Sequence, residues 1–122
     1  MKRAIFFLML LVLGLPGMVQ AAHSVTLTFT ASVDSSASIG YNVYRGTTSG
    51  GEGSTPLNSS PIDVNCSGTT CTYTDTAVSP GVTYYYILKA TNTSTGILSI
   101  ASNEASATVP IAPPTGLSAT AQ

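Results

Sequence analysis

The sequence predicts an all-β chain folded as an antiparallel sandwich. Three observations carry this expectation. Apolar and hydroxyl residues alternate strictly in short segments such as Ser24-Val25-Thr26-Leu27-Thr28-Phe29-Thr30, the period of a strand with one buried face. Turn residues recur between these segments at intervals of about 8–15 residues. No segment after Ala21 has a convincing helical period, and the helix formers Glu, Lys and Gln are scarce there.

Residues 1–21 read as a signal-peptide helix that precedes the sandwich. Met1-Lys2-Arg3 is a short positive end, residues 4–15 form an apolar run, and Val19-Gln20-Ala21 places small side chains where a signal peptidase reads. A membrane-spanning helix needs about 20 apolar residues, so this run is too short to cross. No Cys follows the small-residue site, so the lipoprotein variant lacks its acylation point. The mature chain is expected to begin near Ala22 and to be secreted or periplasmic, without membrane contact once the leader is removed.

In the first strand Val25, Leu27 and Phe29 share the inward face. Residues 39–44 repeat the pattern, with Ile39, Tyr41 and Val43 aligned. Residues 46–54 are rich in Gly, Ser and Thr and read as an exposed loop. Residues 56–64 contain two prolines and read as a short edge segment. Residues 71–75 form a strand with Tyr73 inward. Ser79-Pro80-Gly81 is a turn, with Pro fixing one dihedral and Gly supplying a positive φ. Residues 82–90 form the longest strand, and Tyr84-Tyr85-Tyr86-Ile87-Leu88 is apolar on both faces, which marks it as central. Residues 92–96 form another turn, and residues 101–109 a last strand with Ala105, Ala107 and Val109 aligned. The expected core is Val25, Leu27, Phe29, Tyr41, Val43, Tyr73, Tyr86 and Leu88.

A length of 122 residues allows one ordinary domain. Charged residues are only 7% of the chain, and after Ala21 Arg45 and Lys89 stand against Asp34, Glu52, Asp63, Asp75 and Glu104, a net charge of −3. That excludes a nucleic-acid binder of the basic kind. Ser and Thr take the place of charge, supplying 34 of the 101 residues after Ala21.

Cys66 and Cys71 are separated by Ser-Gly-Thr-Thr and lie between strand-like segments. Export makes a disulfide the expectation, with a stabilisation of about 2 kcal/mol for so short a loop. Four intervening residues is not the redox spacing, and no second ligand pair is present for a metal.

In this order, Val25-Thr26-Leu27-Thr28-Phe29, Gly40-Tyr41-Asn42-Val43-Tyr44-Arg45, Tyr73-Thr74-Asp75, Pro80-Gly81-Val82-Thr83-Tyr84 and Ser102-Asn103-Glu104 resemble a fibronectin type III domain of the kind found in secreted bacterial proteins. The resemblance runs over residues 24–109. It implies an immunoglobulin-like antiparallel β-sandwich and places Tyr84 at the tyrosine corner, whose hydroxyl bonds to nearby backbone. It also implies that Phe29 stands where the family usually has a core Trp.

The ends depart from the family. Domain boundaries are expected at 22–109 for the sandwich and 110–122 for a Pro-rich linker with a strand-like tail. Strand A is expected to be missing before Val25, while Pro110 and the sequence Ile111-Ala112-Pro113-Pro114-Thr115-Gly116-Leu117-Ser118-Ala119-Thr120-Ala121-Gln122 resemble one. The first strand would then leave an open edge of unpaired N–H and C=O groups. Three outcomes stand open: the tail fills its own gap, it fills the gap of the next subunit, or the edge is tolerated and the tail frays.

The chemistry for catalysis is thin. His23 is the one histidine, so neither a Ser-His-Asp set nor a copper site with two imidazoles is built. The carboxylates are spread singly, with no calcium or glycosidase pairing, and Asp75 is expected to bond backbone. Gly50-Gly51-Glu52-Gly53 lacks the Lys-Ser/Thr and the helix of a phosphate loop. No cofactor, metal or enzymatic activity is expected. Tyr44, Tyr85 and Ile87 are expected to point outward as a small aromatic patch, or simply to stabilise their sheet. Ile97, Leu98 and Ile100 form an apolar run after a turn. Leu117 and Ala119 in the tail are further candidates for contact. The expected function is a non-catalytic extracellular module for protein interaction or adhesion. The alternative is a structural subunit that polymerises head to tail by donating its C-terminal strand.

Overall fold

The structure, a computed structural model, describes residues 22–34, 38–61 and 65–122. The leader expected over 1–21 and the acid Asp63 lie outside the described residues. Among those described, no helix is long and apolar enough to cross a membrane.

Six strands form two antiparallel three-stranded sheets, as expected for an all-β sandwich. They are β1 (Val25–Thr30), β2 (Ile39–Gly46), β3 (Asn65–Ser67), β4 (Thr70–Asp75), β5 (Thr83–Asn92) and β6 (Ala105–Thr108). One sheet has the order β1-β4-β3 and the other β2-β5-β6. This arrangement is consistent with an immunoglobulin-like sandwich. The long, two-faced apolar strand is β5, and it is central in its sheet.

Alternation decides which side chains meet between the sheets. Val25, Val43, Tyr84, Tyr86 and Val109 form the buried cluster, with Leu27, Tyr73, Leu88, Leu57 and Val82 packed against it. Of the expected core, Val25, Tyr41, Val43 and Tyr86 are buried. Leu27, Phe29, Tyr73 and Leu88 are only half-buried. For Leu27, Phe29 and Leu88 the shortfall has a physical reason in the open flank described below. Phe29 meets Tyr41 edge to face, with ring centroids 5.0 Å apart.

The cysteines sit directly opposite each other across β3 and β4 and form the disulfide Cys66–Cys71. The two strands are joined by Gly68-Thr69, with Gly68 at φ +61°, the first central position that a type II′ hairpin reserves for Gly. The disulfide is consistent with an oxidising extracellular or periplasmic location.

Two boundaries differ from expectation. Residues 56–61 form no strand, although they run beside β2 as an edge segment. The last strand is shorter than residues 101–109. Across residues 97–102 the ladder to β5 is irregular: the Ser99 and Ser102 hydroxyls accept the Ala90 and Leu88 N–H groups at 3.0 and 2.9 Å, displacing the carbonyls that a regular strand would offer.

Candidate interaction site at the open flank

The two sides of the sandwich end differently. At β2 the edge is closed. Leu57 N–H donates to the Val43 carbonyl at 2.7 Å. The Asn58 side chain accepts from Val43 N–H at 2.8 Å and donates to the Tyr41 carbonyl at 2.7 Å and the Ser60 carbonyl at 2.9 Å. A single buried amide thus imitates the strand that is not there, matching donor to acceptor on both sides.

At the opposite side β1 and β6 are both edge strands. Among the described residues no strand pairs with the outer edge of β1. Between the two edges lies a cleft of about 670 Å³. Its floor is apolar, from Leu27 and Phe29 of β1, Tyr86 and Leu88 of β5, and Ala105 and Ala107 of β6. Its rim is polar, from the β1 threonines and from Ser99 and Ser102. None of the lining residues carries a charge. The small side chains of Ala105 and Ala107 leave the space open, so one strip of the core faces solvent and Leu27, Phe29 and Leu88 stay half-buried.

The charged groups are engaged elsewhere. Asp75, 4% exposed, accepts from Arg45 Nη1 at 2.7 Å and from the Tyr86 hydroxyl at 3.0 Å through Oδ2, and from Ala77 N–H at 3.0 Å through Oδ1. Arg45 also donates to the Ala77 carbonyl and lies over the Tyr84 ring, 4.9 Å from its centroid. Burial, the largest influence, opposes the Arg45 charge, but the bond to Asp75 and the Coulombic attraction of that carboxylate, with smaller contributions from Tyr86 and Tyr84, together outweigh it and favour the protonated guanidinium. Burial, then the bond to Asp75, pushes the Tyr86 hydroxyl far above its ordinary range. Sequence spacing gave the backbone bond of Asp75 but not this ion pair across 30 positions.

A second cluster ties the loop after β2 to the start of β6. Glu104 accepts from Gly50 N–H at 2.7 Å and from the Ser49 hydroxyl at 2.8 Å. The bond from Gly50, then those from Glu52 and Ser49, hold the Glu104 carboxyl below the usual carboxylate range. The contact with Glu104, then burial, raises Glu52. One oxygen of Glu52 is buried without a partner. The two carboxyls influence each other, and their shifts run in opposite directions. The signal was faint in the sequence, because the two residues are far apart in the chain.

The remaining candidates fall in different places. The Tyr84 hydroxyl accepts from Ser79 N–H at 3.0 Å, five residues upstream. Tyr44 does not offer a free aromatic face, since it is 3% exposed. It lies on the outer side of β2, but the following connection packs there: a Cβ on Gly40 would collide with Pro61, and one on Gly46 would meet the Gly51 carbonyl at 2.5 Å. Lys89 Nζ lies 5.3 Å from the Tyr44 ring centroid, a cation–π contact. Tyr85 and Ile87 are half-buried on the same side. Ile97 and Ile100 are exposed, and Ile100 stands at the rim of the cleft. His23 is half-buried beside Thr74, Val78 and Pro80. Leu117 and Ala119 are exposed, away from the cleft.

Fold and site together define a small two-sheet β-sandwich with one closed and one open flank. No family model matches the chain, and neither curated proteins nor solved structures yield a match.

Proposed function

We propose that the chain is a non-catalytic, secreted module of the fibronectin type III kind that mediates extracellular protein interaction or adhesion. Its site is the flank between β1 and β6, which takes an extended segment of a partner by strand addition. The observation that carries this reading is the uncharged, apolar cleft between two unpaired strand edges. Unpaired edges are normally blunted by charge, Pro or a covering segment. Among the described residues the β2 edge is covered and the β1 edge is not.

Other features support the reading. The two strand orders and the Tyr84–Ser79 bond fit the family suggested by the sequence motifs. The acid Asp75 is saturated by Arg45, Tyr86 and Ala77, which fits a structural role. The apolar run 4–15 and the disulfide fit export.

The test is a display library of random peptides of roughly ten residues, about the length of a long strand, screened against the dilute full chain. Binders are mapped by amide hydrogen exchange. Protection over β1 is the expected result. Binders that protect other surfaces, such as Tyr85 and Ile87, or a screen that yields none, overturn the strand-accepting site.

A further inference from the structure

We infer that the open flank is filled by residues 115–121 of a second copy of this chain, so that subunits join head to tail. The inference rests on the flank being a strand-accepting site and adds the identity of the strand. The search for an occupant begins with the tail itself. Every residue from Pro110 to Gln122 is exposed, and none of them makes a hydrogen bond within the described residues. Leu117 is 97% exposed. An apolar-alternating segment, turned at Gly116 (φ +73°) and extended only once that glycine straightens, and an apolar cleft uncovered among the described residues therefore coexist on one molecule.

The two match in pattern and charge. From Thr115 onward, Leu117, Ala119 and Ala121 fall on one face of an extended chain, and Gly116, Ser118 and Thr120 on the other. The first face suits a floor of Leu27, Phe29, Leu88 and two alanines, and the second suits a rim of hydroxyls. Neither residues 110–122 nor the cleft lining contains a charged group. Insertion buries no unpaired charge, whose desolvation would oppose it.

Direction excludes antiparallel completion by the molecule's own tail and leaves it only a parallel fold-back through a reversal at residues 110–114. β6 pairs Thr108 with Thr83 at the start of β5, and β1 pairs Val25 with Asp75 at the end of β4. A seven-residue connection links those two points, and Asp75 bonds Arg45 and Tyr86 there, so β6 ends at the pole where β1 begins. To run antiparallel to β1, the tail must first travel the length of that strand, about 20 Å at ~3.3 Å per residue. The five residues 110–114 reach only about 15 Å in the polyproline form their prolines favour. Those prolines also resist reversal, because each fixes its own φ and restricts the residue before it. The Ile111 side chain, 75% exposed, lies beside Gly81 and so places the exit at this pole. A tail leaving there enters the next copy at its opposite pole and runs antiparallel to β1. The contact is heterologous and leaves a free tail and a free cleft at the two ends, so it propagates.

The experiment uses the full exported chain, its Leu117→Asp variant and a synthetic peptide of residues 113–122. Leu117 is 97% exposed in the subunit, so in dilute solution, where both proteins are monomeric, the variant keeps the parent's melting temperature, and only the parent's rises with concentration. Sedimentation is expected to show the parent's mass rising with concentration, and Leu117→Asp lowering the association constant by about 10- to 100-fold. The peptide, but not its scrambled form, is expected to protect β1 amides in the variant. A parent monomeric at all concentrations whose β1 is unaffected by the peptide overturns the inference, as does β1 protection that needs the tail but not a second molecule. If the tail peptide fails while library peptides protect β1, only the identity of the strand falls. If no extended peptide binds there, the site falls with it.

Discussion

At the β2 side, one asparagine and one backbone amide complete the sandwich. Asn58 and Leu57 satisfy the groups that β2 would otherwise expose, and Val43 beneath them is fully buried. At the β1 side the core is built from the same kinds of residue, yet Leu27 and Phe29 keep part of their surface in contact with solvent. The difference is not in the strands but in what lies beyond their edges. An edge capped by a side chain is finished within one molecule. An edge lined by neutral residues over an apolar floor is left open within the described residues, and the proposed strand addition would finish it.

The ion pair at the pole joins both sheets and sets the scale for this comparison. Asp75→Ala leaves Arg45 and the buried Tyr86 hydroxyl without their partner. It is expected to cost about 4 kcal/mol, the range for breaking a buried pair, and to loosen both flanks together in amide exchange. A loss confined to one flank would show that the sheets are not coupled through Asp75.

Substitutions on the two flanks should then differ in size. Asn58→Ala strands the Val43 N–H and the Tyr41 carbonyl, and is expected to cost about 3 kcal/mol at ~1–3 kcal/mol for each buried unpaired group. Leu27→Ala removes a larger apolar side chain but from the open side, where water already enters. It is expected to cost about 1 kcal/mol, below the range for a fully enclosed leucine. Chemical denaturation of both variants checks the order, and a Leu27→Ala cost equal to that of Asn58→Ala would mean the flank is closed in solution.

The smallest expected effect is pH-dependent. Glu52 is raised in the folded chain, so its contribution is present below the ordinary glutamate range and is lost as pH rises through its raised value. Glu104 is lowered, so its contribution is present above that range and is lost as pH falls through its lowered value. The loop is therefore held most firmly to β6 between the two values, around the ordinary glutamate range of 4.5. Glu52→Gln keeps a donor for Glu104 without a titrating proton. It is expected to remove the weakening on the neutral side, read as exchange of the Gly50 amide against pH.

Much of the fold was legible because alternation is a local signal. Val25, Tyr41, Val43 and Tyr86 declared their inward faces within their own segments, and the turn residues around Gly68 and Gly81 marked where strands reverse. The site was less legible. Val109 reads as the end of a strand but is buried in the core cluster with Val25. Ser102 reads as a strand residue and Ser99 as part of the apolar run after a turn, but both take β5 amides with their hydroxyls. Asn58 falls in the segment read as an edge, but nothing in its neighbours reveals that its side chain caps β2.

The sequence by itself determined that this chain makes strands, which side chains face inward, where the turns fall and that two cysteines sit within bridging reach. Each follows from the two-residue repeat of a strand or from turn chemistry, which act over a few residues. Only the tertiary structure decided that Arg45 meets Asp75, that Tyr44 is covered and that one flank is capped while the other stands open. Those outcomes depend on the order of strands within each sheet and on which edges come together when the sheets pack, and such long-range pairings leave no local trace.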